Sequence, residues 1–433
     1  MSAADLARAP AALHCRRRAI DAAGIDPHRL LHARPEEPGF VWRRGGEEIL
    51  AATGVARALE TGGVRRFREA SRELAELRRH RPLLLGGFAF DDEPAAGSTW
   101  EGFAPLSFHV PRVAVIVRAE EAMLFSASAT SAADAEDALS EGEAWLRAPA
   151  EAASAGGVTL DLRVMSSASD EQWHTSVRGA LDEIAAGELQ KLVLARSLEV
   201  TTGKRIDLGA LLEHLGRAHP QASVFAVRRG ESTFVGASPE RLARIRSSEL
   251  HTGAVAGTAR RGDGDREEAE AAAGLHASEK ERHEHDLVVA DVRARLSPHC
   301  SRIEAGRAPE TIAAGPVQHL STPVCAEVHE DTTLLDIVDA LHPTPALGGL
   351  PREAVPAALA RHEGTSRGWY GGGVGWIDGE EGEITVAIRT ALVREHTALL
   401  HAGAGIVAGS DPDSELEETQ LKLRTLLEAL LEI

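Results

Sequence analysis

The chain is short of positive charge. Its 433 residues hold 47 lysines and arginines against 66 aspartates and glutamates, a formal net charge of −19. A phosphate-backbone partner needs a basic stripe, and none is present: CRRRAI and ELRRHR are short, interleaved with acids, and read as solvated helix faces. Nucleic acid is therefore excluded as a partner. Cysteine is equally sparse. Cys15, Cys300 and Cys325 lie far apart with no CxxC pair and no second cysteine cluster to complete a zinc site, so they read as ordinary reduced thiols. No segment reaches the roughly 18 apolar residues of a membrane span. The N-terminal MSAADLARAPAALHCRRRAI carries its charges after its modest apolar part, the wrong order for a signal peptide. A soluble cytoplasmic protein is expected, without a membrane partner. No repeat of about 20 to 50 residues is visible.

What is present is a chain long enough for a large core. PLLLGGFAF and RVAVIVRA read as strands, and ALSEGEAWLRAPAEAASAGG as a helix running into an Ala/Gly/Ser-rich joint near 150 to 157. Trp173, Val177, Leu181 and Ile184 recur at helical spacing, with Gly187 as a stop. ASVFAVRR, STFVGAS, YGGGVGWID, GEITVAIRTALV and ALLHAGAGIV read as strands tied by short glycine turns that suit antiparallel pairing. Helices are expected over 278–296, 333–341 and 412–431. The fold class is α+β, with a large mainly antiparallel sheet system and helices outside.

Several charges sit where the pattern is apolar. Lys191 interrupts ELQKLVLARSLEV, where an ammonium is costly to desolvate. In KERHEHDLVV, Glu284 shares a helix face with Leu287 and Val288, while His283 and His285 fall on other faces, so HEH is no zinc pair; a buried salt bridge and a metal ligand suit Glu284 equally. Asp411 and Pro412 open a last helix with Glu415, Glu418, Thr419 and Lys422 on one face and Leu423, Leu426, Leu427 and Leu430 as the buried stripe. Acids in a first turn complement the helix dipole, which accounts for Glu415 better than for Glu418. Two carboxylates from different helices, with water completing an octahedron, are what Mg²⁺ usually asks of a protein that also binds an anion. Gly403 and Gly405 offer close backbone approach, and Arg389, read as a charge in a buried strand, wants a carboxylate from protein or ligand.

These strings, with GASPERL, AVAGTARRG, VQHL, LHPTPALGGLP, RGWYGGGVGW and AGAGIVAGSDPDSELEETQLK, resemble the chorismate-utilising enzymes, and within them the isochorismate synthase branch. The resemblance is dense from about 165 to 432 and thinner over 1–160, where it rests on GFVW, GGFAFDD and WEGFAPLSFHVPR. Amine-forming members usually carry glutamine at the position of Lys191, and a GTVSGAPK-like string where this chain has PTPALGGLP; nothing here resembles a glutamine amidotransferase domain. Salicylate synthases, the enzymatic alternative, have a TASGIPK-like segment that this chain lacks. A catalytically inactive relative is the non-enzyme alternative.

The resemblance implies one large domain, 1–433, with two stacked mainly antiparallel sheets flanked by helices, in which the joint near 150 to 157 would be a surface loop. It implies Lys191 as general base, its pKa depressed by burial, for water attacking carbon 2 of chorismate, and Glu240 as general acid for the hydroxyl leaving carbon 4. Glu284 and Glu418, with Glu415, would hold Mg²⁺. Tyr370, the only tyrosine, would join Arg389, Gly403 and Gly405 at the enolpyruvyl carboxylate, with Gly257, Thr258, His319, Ala346 and Lys422 completing the pocket. A monomer is expected. STPVCAEV departs from relatives, which usually have a glycine near Ala326 or Glu327, and this bears on the local turn.

Overall fold

The computed structural model describes residues 13–148 and 163–433, apart from 46–47, 94–96, 98, 263, 315 and 365. The joint near 150 to 157 lies outside them. Among the described residues, two antiparallel sheets of twelve and ten strands stack, and Trp42 of the first meets Trp376 of the second edge-on, centroids 6.3 Å apart. One core cluster draws residues from both sheets, including Trp42, Leu194 and Phe225 of the larger and Leu85, Val324 and Ile384 of the smaller. The N-terminal strands are interleaved with later ones. Gly39–Arg44 pairs with Ser223–Arg229, and Leu83–Phe88 pairs with Gly373–Asp378. No helix among the described residues is long and apolar enough to cross a membrane.

The helices expected at 278–296, 333–341 and 412–431 form over Glu279–Leu296, Leu334–Leu341 and Pro412–Leu431. Their starts follow from side-chain caps: Ser278 accepts from the amide of Glu281, and Asp411 from that of Ser414, with Pro412 where a missing N–H costs nothing. Leu423, Leu426 and Leu430 are buried and each contributes about 1.5–3 kcal/mol of burial, while Leu427 is only half-buried at the rim.

One expected strand is two. GEITVAIRTALV divides into Glu381–Val386 in the ten-stranded sheet and Thr390–Arg394 in the twelve-stranded sheet. The chain changes sheets at 387–389, and Arg389 turns it with φ of 53°, a left-handed conformation uncommon for a residue with a side chain. Arg389 is therefore on a crossover and not in a strand. A second crossover, Pro239–Glu240, links Ser232–Ser238 of the larger sheet to Arg241–Arg246 of the smaller. The two crossovers are tied side by side: Ala237 N donates to Arg389 O (3.1 Å) and Val386 N to Glu240 O (3.0 Å). A third irregularity lies nearby in the Glu249–Arg260 strand, whose pairing with Val317–Val328 shifts between Ala256 and Thr258 around Gly257, φ 78°. No turn interrupts STPVCAEV; it continues the regular Val317–Val328 strand, with Ala326 opposite Leu250.

Candidate active site

Where ladder pairing breaks, backbone and side chains are released from the sheets, and a cavity forms there. Of the residues singled out from the sequence, Glu240, Gly257, Thr258, Glu284, His319 and Ala346 line it, and so do Tyr370, Arg389, Gly403, Gly405, Glu418 and Lys422. Val193, Leu347 and Ile388 add apolar walls that the sequence did not single out.

Lys191 starts the Lys191–Thr201 strand and is completely buried; it lies behind the cavity lining and is reached through Glu284, whose Oε1 accepts from its Nζ at 2.7 Å. Its amine is dry, as expected, but not alone, and the contact favours the charged form of Glu284. Burial works against the Glu284 charge, yet Lys191, with Lys280 and Lys422 further off, holds its carboxyl below the usual range. The approach depends on Gly405: a Cβ there would stand 2.7 Å from Glu284 Oε1 and 3.2 Å from Lys191 Cε.

Glu240 is the opposite case. Burial pushes its carboxyl up to about 7, against the pull of Arg389, Lys191 and Lys422. It can therefore hold a proton near neutral pH and release it. Arg389, buried, directs Nη2 to His319 Nε2 at 3.3 Å, and its Nε has no partner among the described residues. His319 is held neutral: burial and then Arg389 push its pKa well below the usual value. Since Nε2 faces a guanidinium, its proton is assigned to Nδ1, which lies 3.2 Å from Gly257 O and 3.1 Å from Thr258 Oγ1. Tyr370 stacks on His401 with centroids 5.1 Å apart, and burial raises its phenol to about 12, keeping it a donor. An orphaned guanidinium N–H, a tyrosine hydroxyl and the close backbone of Gly403 together suit a planar carboxylate.

Four carboxylates come from the two helices at matched spacing: Glu281 and Glu284, Glu415 and Glu418. Each borrows a different donor. Glu281 Oε2 accepts from Thr258 N (2.8 Å), Glu415 from Lys280 (2.9 Å) and Glu418 from Lys422 (2.5 Å), which also donates to Gly403 O (2.9 Å). Burial raises Glu281 and then its neighbour Glu284 does; burial and then Glu418 raise Glu415. Acids that repel one another in a buried, all-oxygen setting fit a hard divalent cation. Glu415 is buried and does not line the cavity. Glu281 and Lys280 were not legible as site residues, because a first helical turn rich in charge reads as solvated; the repeated ExxE spacing was the available signal. His285 is not on an outward face: it is buried, its Nε2 2.7 Å from Thr322 Oγ1, while His283 is exposed, so the two do not act together.

The model of the chorismate binding enzyme family matches residues 8–431. Among curated proteins, the salicylate biosynthesis isochorismate synthase of Pseudomonas aeruginosa is 38% identical over 356 residues, 81% of this chain and 74% of the relative. An isochorismate synthase of Bacillus subtilis is 35% identical over 354 residues, again 81% and 74%. Among solved structures, the menaquinone-specific isochorismate synthase of Escherichia coli superposes with a TM-score of 0.83 at 28% identity, covering 97% of this chain and 96% of that one.

Proposed function

The chain belongs to the family of chorismate-binding enzymes, and from that membership, its relatives and its cavity we infer that it is an isochorismate synthase, an isomerase acting on chorismate. Water adds at ring carbon 2, the ring double bonds shift, and the hydroxyl leaves carbon 4. Two proton transfers complete the exchange, and a group suited to each is at hand: Glu240 in the cavity lining and Lys191 behind it. What chiefly supports the assignment of roles is a carboxyl raised to about 7 in the cavity lining and a buried amine behind that lining, in contact with Glu284.

Lys191 takes the proton of the attacking water, and Glu240 gives one to the departing hydroxyl. For the amine to accept a proton it must first release to solvent the one it holds against Glu284, which requires the Glu284 charge to be engaged elsewhere. Glu284 and Glu418 are the proposed Mg²⁺ ligands, with Glu281 and Glu415 supporting them directly or through water. When bound, the ion would offset these carboxylates and hold the ring carboxylate of chorismate. Arg389, oriented by His319, and Tyr370 bind the enolpyruvyl carboxylate, and Lys422 braces Glu418 against Gly403 O.

The deciding experiment incubates purified protein with chorismate and Mg²⁺, with and without EDTA, and separates products by HPLC. A chorismate–isochorismate mixture approached from either side, and lost with EDTA, is the expected result. Salicylate with pyruvate would move the chain to the sister reaction, which the word salicylate in the name of the Pseudomonas relative makes worth scoring. Turnover that survives excess chelator would remove the metal.

A further inference from the structure

One end of the ten-stranded sheet, just inside its edge strand Cys300–Ala305, carries chemistry that the reaction does not use. The Glu249–Arg260 strand enters from a two-residue turn, Ser247–Ser248, with φ of 50° and 66°, across which Arg246 pairs with Glu249. It then lies against Val317–Val328 so that His251 is directly opposite Cys325. Side chains alternate along a strand, which puts Glu249, His251 and Cys325 on one face. Cys325 Sγ is 3.5 Å from His251 Nδ1, Glu249 Oε2 is 3.5 Å from His251 Nε2, and one donor atom from each residue lies within 4.8 Å of the others. Around tetrahedral Zn²⁺, bonds of about 2.3 Å to sulfur and 2.0–2.1 Å to nitrogen place those two atoms roughly 3.6 Å apart. The thiol–imidazole separation already matches.

The surroundings favour a cation. Glu304 lies opposite Cys325 on the Cys300–Ala305 strand and, with Glu327, lines the same groove; Arg302 is occupied by Glu304. Glu249 is exposed and His251 and Cys325 half-buried, so an ion can enter from solvent. We propose that Glu249, His251 and Cys325 form a site for a thiophilic divalent cation such as Zn²⁺, with water or Glu304 in the fourth position. The site is chemically distinct from the four-carboxylate cluster, because a thiolate and an imidazole select borderline-soft ions where an all-oxygen set selects Mg²⁺. Binding releases the thiol proton to solvent. The bound ion pins the two strands whose far ends carry Thr258 and His319, about 23 Å away along the ladder.

The test titrates Co²⁺ into the full-length protein saturated with Mg²⁺. The expected result is a near-ultraviolet thiolate-to-cobalt charge-transfer band that saturates at one equivalent, vanishes in Cys325→Ser and needs at least roughly tenfold more cobalt in Glu249→Ala, while both variants keep chorismate turnover. The carboxylate cluster has no sulfur and cannot give that band. No band, or a band that persists in Cys325→Ser and so comes from another thiol, overturns the proposal and leaves a thiol–imidazole hydrogen bond.

Discussion

Replacing Lys191 by glutamine separates the stability role of the amine from its proposed chemistry. The wild-type pair is fully desolvated on the lysine side, with Nζ 2.7 Å from Glu284. Removing one partner of a buried pair costs about 3–5 kcal/mol. Two features place this case at the low end: Lys280 and Lys422 still act on Glu284, and glutamine can donate one neutral hydrogen bond. There is also a ceiling. Glu284 can take up a proton instead of standing as a lone anion, and from an unfolded value near 4.3 that costs roughly 4 kcal/mol at pH 7.

The sign with pH follows. In the wild type, the lowered Glu284 carboxyl contributes stability above the unfolded pKa that is lost as pH falls through the folded one. In Lys191→Gln burial, opposed only by the more distant Lys280 and Lys422, raises it, so stability is present at acid pH and declines as pH rises. Melting measured in EDTA from pH 5 to 8 should therefore show a deficit near 1 kcal/mol at pH 5 that widens to about 3 kcal/mol at pH 8. In assays with Mg²⁺, turnover should fall roughly 10²–10⁴-fold. A deficit independent of pH would refute the electrostatic argument, and near-normal turnover would remove Lys191 from the chemistry.

Glu240→Gln should lose a similar factor in turnover yet gain stability at pH 8 relative to pH 5. A carboxyl raised to about 7 contributes stability that is present below its unfolded pKa and lost as pH rises through 7, so its removal relieves a penalty that is small at pH 5 and full at pH 8; equal melting shifts at both pH values would contradict this. The wild-type kcat/KM should decline above about pH 7 as Glu240 loses its proton, a limb absent from the residual rate of Glu240→Gln. Glu281→Gln should weaken Mg²⁺ about 10–100-fold with little change in rate at saturating metal, read from activation curves; an unchanged activation constant would place Glu281 outside the metal cluster. Gly405→Ala should cost at least about 10²-fold in turnover by forcing Glu284 off Lys191. Its refutation would be a variant with normal kcat.

The strands, their antiparallel pairing and the helices Glu279–Leu296, Leu334–Leu341 and Pro412–Leu431 were legible because alternation, caps and glycine turns are local signals. The crossover at 387–389 was not. ITVAIRTALV reads as one apolar run, and only the register of its two halves in different sheets shows that Arg389 turns a corner. Lys191, Glu284 and Arg389 stood out through their misfit, a charge in an apolar pattern, whereas Glu240, Gly257, Thr258, His319, Ala346 and Tyr370 were reached only through the family resemblance. Glu281 and Lys280 sit in a helix start that is polar all round, where only the ExxE spacing shared with Glu415 and Glu418 marks Glu281, and their partners, Thr258 and Glu415, are distant in sequence.

The distribution of charge explains why a divalent ion and the substrate belong together in this fold. Glu281, Glu284, Glu415 and Glu418 bring four negative charges, and Lys191, Lys280, Lys422 and Arg389, counted as cations, bring four positive ones, so these side chains sum to zero with Glu240 protonated. Chorismate adds two carboxylates. Buried beside four others with no further cation they would leave two uncompensated charges, a cost of several kcal/mol each in a dry site. The proposed Mg²⁺ supplies the missing two, and each ligand then raises the affinity of the other by the same factor. Lys191 is counted in its resting, ion-paired form; to act as the proposed base it first sheds a proton to solvent, and the proton it then regains from water matches the one that Glu240 would give to the leaving hydroxyl. A crossover arginine, a bulge and two ExxE helices thus form one electrostatic unit, and the loss of any member changes the charge the others must carry.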